Sequence, residues 1–408
     1  MHRHGARPAL LTLIPALLLA GSACAPTPEA VSPPSSSAAL ASPVRASPTA
    51  SVAAASATPA PTVIPPTSPP ASPTAAPTPG YPMGPGSFPQ NVDPLTGLAV
   101  QNPQQLDLRP LAIVVSNFPR TARPQAGLSQ ADLVFEAYTE AGSSRFLALY
   151  YGQSADQVGP IRSARLEGIR IAPLYDAILV HAEAYQEIWD QIYAAQVDAI
   201  NEFPAGCPAI CRDPNEKISV NSVFGNTPAL DQFAQKVGME NGRPNLNGMR
   251  FDPAAPTAAS AAQGAWVEFS SAALAQWQYD PGSGSYLRSS ESDAGALVPL
   301  ADRTTGQQLA VANVLVLYVP FSYFVGATTT AELWDINLSG SGHAVFFRDG
   351  LAVPGTWKRA GGTQPLQFFG AGGQPFALKP GRTWIEVIGK TSLTVPSARL
   401  WRFTMRFP

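Results

Sequence analysis

Charge is scarce in this chain of 408 residues. Asp, Glu, Lys and Arg together make 13% of it, against a usual globular share of about 25%. The 26 basic and 28 acidic residues leave a formal charge of −2, without the basic footprint of a nucleic-acid binder, so no nucleic-acid partner is expected. Lysine supplies only 5 of the 26 cations, so the cationic chemistry is that of guanidinium. Histidine is limited to 4 residues, and His2 and His4 fall near the N-terminus. That leaves His181 and His343, too few for a His-rich catalytic metal centre. No Gly-x-Ser-x-Gly elbow, P-loop or His-Glu-x-x-His motif occurs. No metal and no cofactor are expected.

Long apolar runs are missing too. The most apolar stretch, Ala9 to Ala20, would make about 18 Å of helix against a bilayer core of about 30 Å. It follows Arg3 and Arg7 and precedes Gly21-Ser22-Ala23-Cys24, so residues 1–23 read as a lipoprotein signal peptide. A Cys directly after small residues is the arrangement in which the thiol accepts a diacylglycerol and becomes the new N-terminus. Gly21 departs from that pattern, which prefers an aliphatic residue there. The alternative is ordinary cleavage nearby with an unmodified Cys24.

Proline is abundant, and its excess is local: 17 of the 43 prolines lie in residues 25–88, among Ala, Ser and Thr. That stretch carries one acid, Glu29, one base, Arg45, and no aromatic before Tyr81. It cannot bury enough surface to offset the entropy of ordering, so residues 24–88 are expected to form a disordered tether from a lipidated Cys24. Its reach is about 45 Å as a random coil and up to about 200 Å as extended polyproline. The remaining cysteines, Cys207 and Cys211, are close together in an exported chain, which points to a small disulfide loop.

The folded part reads as α+β. Strand-type runs Leu111–Val115, Asp132–Thr139, Arg145–Tyr151 and Ala177–His181 alternate with helical stretches Ser163–Leu174, Glu183–Ala195 and Thr227–Val237. These predict a mixed α/β domain over residues 89–244. A Pro/Ala/Asn-rich stretch, residues 245–264, reads as a linker. Short β-type runs separated by Gly-rich turns then predict a β-rich domain over residues 265–408, with Ala265–Phe269, Ala310–Tyr318 and Trp384–Ile388 among its strands.

Several segments together resemble the YerB-like bacterial lipoproteins, a family of unknown function. They include Asp93-Pro94-Leu95-Thr96-Gly97-Leu98, Arg123-Pro124-Gln125-Ala126-Gly127-Leu128, Gly159-Pro160-Ile161-Arg162-Ser163-Ala164-Arg165, Gly355-Thr356-Trp357-Lys358 and Lys379-Pro380-Gly381-Arg382-Thr383-Trp384. The resemblance covers nearly all of the folded part. It implies a lipoprotein with two domains, the second β-rich, and it implies no reaction. Where relatives tend to carry a His-Asn pair, this chain has Val220-Asn221, so a mechanism resting on that His does not apply.

The strongest candidate site is the segment Gly159–Arg165. Ser163 reads as the N-cap of a following helix, and Arg162 and Arg165 beside it would make a fork for phosphate or carboxylate. The bland alternative is that one of these arginines pairs internally with Glu136, Glu140 or Asp176. Glu136 and Glu140 are four residues apart, about 13 Å along a strand, too far for a glycosidase pair. Glu136 with Glu183 or Asp176, and His181 after a buried strand, remain low-ranking acid/base candidates. Trp277, Trp334, Trp357 and Trp384 would be either a sugar-stacking platform or core.

By placement and subtraction, the expectation is a membrane protein lipid-anchored on the extracytoplasmic face, with a non-catalytic binding or scaffold role. Its partners would be the membrane, through the anchor, and a cell-wall polymer or a wall-remodelling envelope protein. The alternatives are an envelope hydrolase or transferase acting on an anionic glycan, and a solute-binding lipoprotein.

Overall fold

Aliphatic and β-branched runs build the first strands. In the computed structural model, which describes residues 80–86, 88–324, 332–359 and 361–408, β1 (Leu111–Ser116), β2 (Leu133–Tyr138) and β3 (Ser144–Tyr150) are buried at every position. Burial on both faces is why these runs are nearly continuous rather than alternating. β4 (Ile178–His181) and β5 (Ala199–Asn201) extend the layer, in the spatial order β2-β3-β1-β4-β5. β3 runs antiparallel to both β2 and β1, whereas β1, β4 and β5 run parallel. Helices α1 (Leu166–Ile171) and α2 (Gln186–Ala194) connect these strands, and another helix covers Thr227–Lys236. The leader, Cys24 and the tether as far as residue 79 lie outside the described residues.

The same sheet continues into the second half of the chain. Thr383–Gly389 pairs parallel with β2, then with Asn313–Val319, and the antiparallel strands Gly340–Arg348, Leu351–Arg359 and Gln367–Gly370 follow to the far edge. The result is one 11-stranded sheet to which residues from both halves contribute. A second, seven-stranded sheet is built from Gly264–Ser270, Ala273–Asp280, Ser285–Glu291 and shorter neighbours. Side chains of the two sheets meet at Trp277 and Trp384, with ring centroids 5.3 Å apart. The fold is α+β and mostly sheet.

Two boundaries differ from the sequence reading. Order begins before residue 89: Met83 is buried and its backbone bridges Phe251, Tyr81 donates its hydroxyl to the Gly97 carbonyl at 2.7 Å, and Phe88 packs on Phe251. These are the large apolar residues that interrupt the Pro/Ala/Ser/Thr composition. The stretch 245–264 is packed rather than free, with Leu246, Met249, Phe251 and Ala262 buried, Arg250–Phe251 paired with Ala377–Leu378, and Ser260–Ala261 paired onto the large sheet. The strand Leu351–Arg359 is not evident in the sequence because it contains Pro354. That proline falls between the part paired with Ser260–Ala261 and the part paired with Gln367–Gly370, where the ladder on that side is interrupted.

Candidate functional site

The chain after β1 leads to β2 on one side of the sheet, and the chain after β4 leads to β5 on the other. Neighbouring parallel strands whose connections diverge leave a crevice at their carboxyl ends, where α/β sheets place ligands. The segment 160–164 fills the root of that crevice. Pro160 accepts from Ser116 N–H, Arg162 N–H donates to the Val114 carbonyl, Ala182 N–H donates to Arg162, and Ala164 N–H donates to Glu183. Gly159 admits the segment: its φ is +148° and a Cβ there would sit 2.8 Å from the Val223 carbonyl.

This pairing also explains a correction. Residues 162–164 are held extended by their strand-like bonds, so α1 starts only at Leu166, with Arg165 in the extended cap position and no side-chain cap. Ser163 is therefore not the N-cap. A six-residue helix supplies no anion site of its own, and the chemistry rests on the side chains.

Three arginines gather here. Arg165 binds both carboxylate oxygens of Glu140, lies 4.3 Å from the Tyr185 ring centre and is buried. Arg145 donates to Glu140 at 2.7 Å and to the Ser163 carbonyl at 2.7 Å. Burial works against the Glu140 charge, but Arg165 and Arg145 outweigh it and hold that carboxyl below its ordinary value. Arg145 is drawn down to about 10 by burial and then by its neighbour Arg165. The guanidinium of Arg162, half-buried, makes no hydrogen bond or close ion pair among the described residues. Burial, then repulsion from Arg165, lowers its affinity for a proton. Thus Glu140 is bound directly by Arg165 and Arg145, and Arg162 is left at the crevice with only a longer-range attraction to the same carboxylate.

Glu167, at the start of α1, sets a pH dependence. Burial lifts its carboxyl from 4.5 to about 7, against the pull of Arg145 and Arg165. Between those values the folded chain keeps a proton that the unfolded chain has lost. The group's contribution is therefore complete below pH 4.5 and is lost as pH rises through about 7. Replacing it with Gln removes this dependence. From about pH 5 to pH 8 the unfolding free energy of Glu167→Gln should rise relative to the parent by about 2–3 kcal/mol. Urea denaturation at both pH values measures it, and a constant difference would contradict the assignment.

The acid/base candidates are not brought together. His181 is fully buried at the end of β4, with Nδ1 3.0 Å from the Glu183 carbonyl and its ring against Trp189. Burial pulls it down to about 4, so it is neutral at physiological pH. Glu183 is exposed. Glu136 lies between the two sheets, where Ser144 donates to it at 2.7 Å, Asn117 at 3.2 Å and Arg288 at 2.8 Å. Its register neighbour Glu386 is also fully buried, accepts from Trp277 Nε1 at 2.6 Å, and is lifted well above its ordinary value by burial and then by the charge of Glu136. Glu136 thus belongs to an enclosed network that ties the halves of the chain together.

Of the tryptophans of the second half, Trp277, Trp357 and Trp384 are core and Trp334 is stacked on Phe407. The three core rings offer no exposed platform, because the sheets need large side chains to fill the space they enclose. The exposed aromatics are Tyr323 (53% exposed), whose ring meets Trp334 edge-on at 5.4 Å, and in the first half Tyr185 (38%), Tyr193 (70%) and Phe203 (73%), with the half-buried Trp189 beside them. Tyr185, Trp189 and Tyr193 recur every four residues, a helical stripe visible in the sequence. Cys207 and Cys211 are disulfide-bonded. Among the described residues, no three His, Cys, Asp or Glu side chains gather as metal ligands would, and no helix is long and apolar enough to cross a membrane.

Comparison with known proteins agrees with this architecture. The chain is 29% identical over 299 residues to the Bacillus subtilis (strain 168) protein named "Putative lipoprotein YerB", covering 72% of this chain and 85% of that one. The crystal structure of YerB from Bacillus subtilis superposes with a TM-score of 0.62 at 26% identity, covering 73% of this chain and 96% of that one. Residues 95–240 match the N-terminal domain, and residues 265–385 the C-terminal domain, of the family described as protein of unknown function DUF3048. The chain belongs to the DUF3048 family.

Proposed function

We propose that this chain is an extracytoplasmic lipoprotein, anchored by a diacylglycerol on Cys24, whose folded part is a non-catalytic module that captures an anionic cell-wall polymer. The observation that carries the reading is Arg162. It is a half-buried cation beside two other arginines, its guanidinium without a hydrogen bond or close ion pair among the described residues, at the carboxyl ends of diverging parallel strands. A phosphate or carboxylate placed there relieves the repulsion with Arg165 and gains charge-assisted hydrogen bonds. The hydroxyl of Ser163 has no protein partner among the described residues and supplies a further contact. The burial of Glu136 with Arg288 and of His181 in the core favours binding over hydrolysis, since acid/base chemistry needs such groups within reach of a substrate. The anchor fits the leader and the name of the relative, and the tether would lift the module toward the wall.

Co-sedimentation of the purified full chain with cell-wall sacculi tests this. The protein should pellet with sacculi that retain their anionic polymers, be released by high salt, and stay in solution with sacculi stripped of those polymers. Equal pelleting with both would remove the anionic ligand. Release of soluble wall fragments would replace binding by hydrolysis, and no pelleting with either would point to an envelope protein as the partner.

A further inference from the structure

The site extends past the arginines along α2. Tyr185 precedes the helix, and Trp189 and Tyr193 follow at four-residue steps, a row of about 12 Å along the axis. Arg165 lies over Tyr185, and the Trp189 and Tyr193 rings are stacked 6.0 Å apart at 22°. Beyond them, between the end of α2 and the outermost strand β5, is a pocket of about 470 Å³. Trp189, Ile192 and Tyr193 form its apolar wall, and Gln196, Asp198 and Asn201 supply its polar rim.

Two features make this rim more than an ordinary surface. The side-chain amides of Gln196 and Asn201 have no protein partner among the described residues. Gln196 also closes α2 at φ +52°, a left-handed position where glycine fits without strain. The chain thus holds an amide at the mouth of the pocket at a conformational cost. The pocket rim and the arginine segment meet the same end of the sheet: Asn201 is the register partner of His181, and the residue after His181, Ala182, is hydrogen-bonded to Arg162.

We propose that this pocket is a carbohydrate subsite, taking one sugar ring of a glycan whose anionic group sits on Arg162. A pyranose offers an apolar C–H face to the aromatic wall and a rim of hydroxyls to Gln196, Asn201 and the free oxygen of Asp198, whose other oxygen is held by Arg109 at 2.6 Å. The inference rests on the anion-binding reading and narrows it: the polymer has sugar rings in its main chain, rather than being a polyol phosphate with none.

Calorimetric titration of the full chain separates the two readings. The probes are an oligosaccharide carrying one carboxylate per disaccharide, a poly(glycerol phosphate) of equal charge, and inorganic polyphosphate. The variants are Tyr193→Ala and Asn201→Ala, both at accessible positions, and Arg162→Ala. The parent should prefer the oligosaccharide to poly(glycerol phosphate). Tyr193→Ala should weaken oligosaccharide binding about fivefold, with a similar loss in Asn201→Ala, while leaving polyphosphate binding unchanged. Arg162→Ala should weaken both. Unchanged oligosaccharide affinity in Tyr193→Ala and Asn201→Ala, with loss only in Arg162→Ala, would overturn the sugar subsite and leave the anion site standing. Oligosaccharide binding indifferent to all three substitutions would overturn both.

Discussion

Replacing Arg288 with Met should lower the unfolding free energy by about 3–5 kcal/mol. Arg288 is fully buried, donates to Glu136 at 2.8 Å, and lies 5.3 Å from the Trp277 ring centre and 5.7 Å from that of Trp384. Glu136 and Glu386 are neighbours on adjacent parallel strands, and burial, then repulsion from Glu136, lifts the Glu386 carboxyl well above its ordinary value. Arg288 meets the charge left on the pair. Met fills much of the same volume but leaves that charge enclosed and unmatched, so the loss is electrostatic rather than a matter of packing. The double variant Arg288→Met/Glu136→Gln removes the stranded charge and should recover part of the loss. Chemical denaturation of the full chain measures both. A single variant within about 1 kcal/mol of the parent, or a double variant no better than the single, would contradict this reading of the network.

The second large effect concerns the anchor. Cys24→Ser should move the protein from the membrane fraction to the soluble fraction. A single acyl chain gives marginal membrane binding at about 0.8 kcal/mol per buried CH₂, whereas the two chains of a diacylglycerol hold stably. The Pro/Ala/Ser/Thr tether adds little, with one acid, one base and no aromatic before Tyr81. Fractionation of cells expressing both forms decides it, and a serine variant that stays with the membrane would overturn the anchor at Cys24.

Much of the fold was legible because the main strands are dense in Val, Ile, Leu and Phe. The runs at Leu111, Asp132, Arg145, Ala177 and Trp384 all appear as strands. The continuity of one sheet across both halves was not, because pairing of β2 with Thr383–Gly389 joins residues some 250 positions apart and leaves no local signature. The site was legible only in outline. Arg162 and Arg165 do come to one place, but their roles differ. Arg165 is taken up by Glu140, whereas Arg162, fixed by the pairing of 162–164 with β1 and the end of β4, keeps its guanidinium without a hydrogen bond among the described residues. Glu136 looked like an available acid because a sequence does not show that Arg288 and Glu386 enclose it. The stripe Tyr185, Trp189, Tyr193 carries its signal in the four-residue spacing, which puts the three rings on one side of a helix.

The most direct test of an anion site centred on Arg162 is the affinity of the full chain and of Arg162→Ala for anionic polymer purified from sacculi, together with the melting temperature of each free protein. The Arg162 guanidinium makes no hydrogen bond or close ion pair among the described residues, and its removal relieves burial and repulsion with Arg165, which outweigh its attraction to Glu140, so the variant should melt no lower than the parent. Its affinity should fall about 10- to 100-fold, the worth of hydrogen bonds to a charged group. A variant that binds the polymer as tightly as the parent would contradict the account, and one that melts well below it would show that Arg162 serves the fold instead.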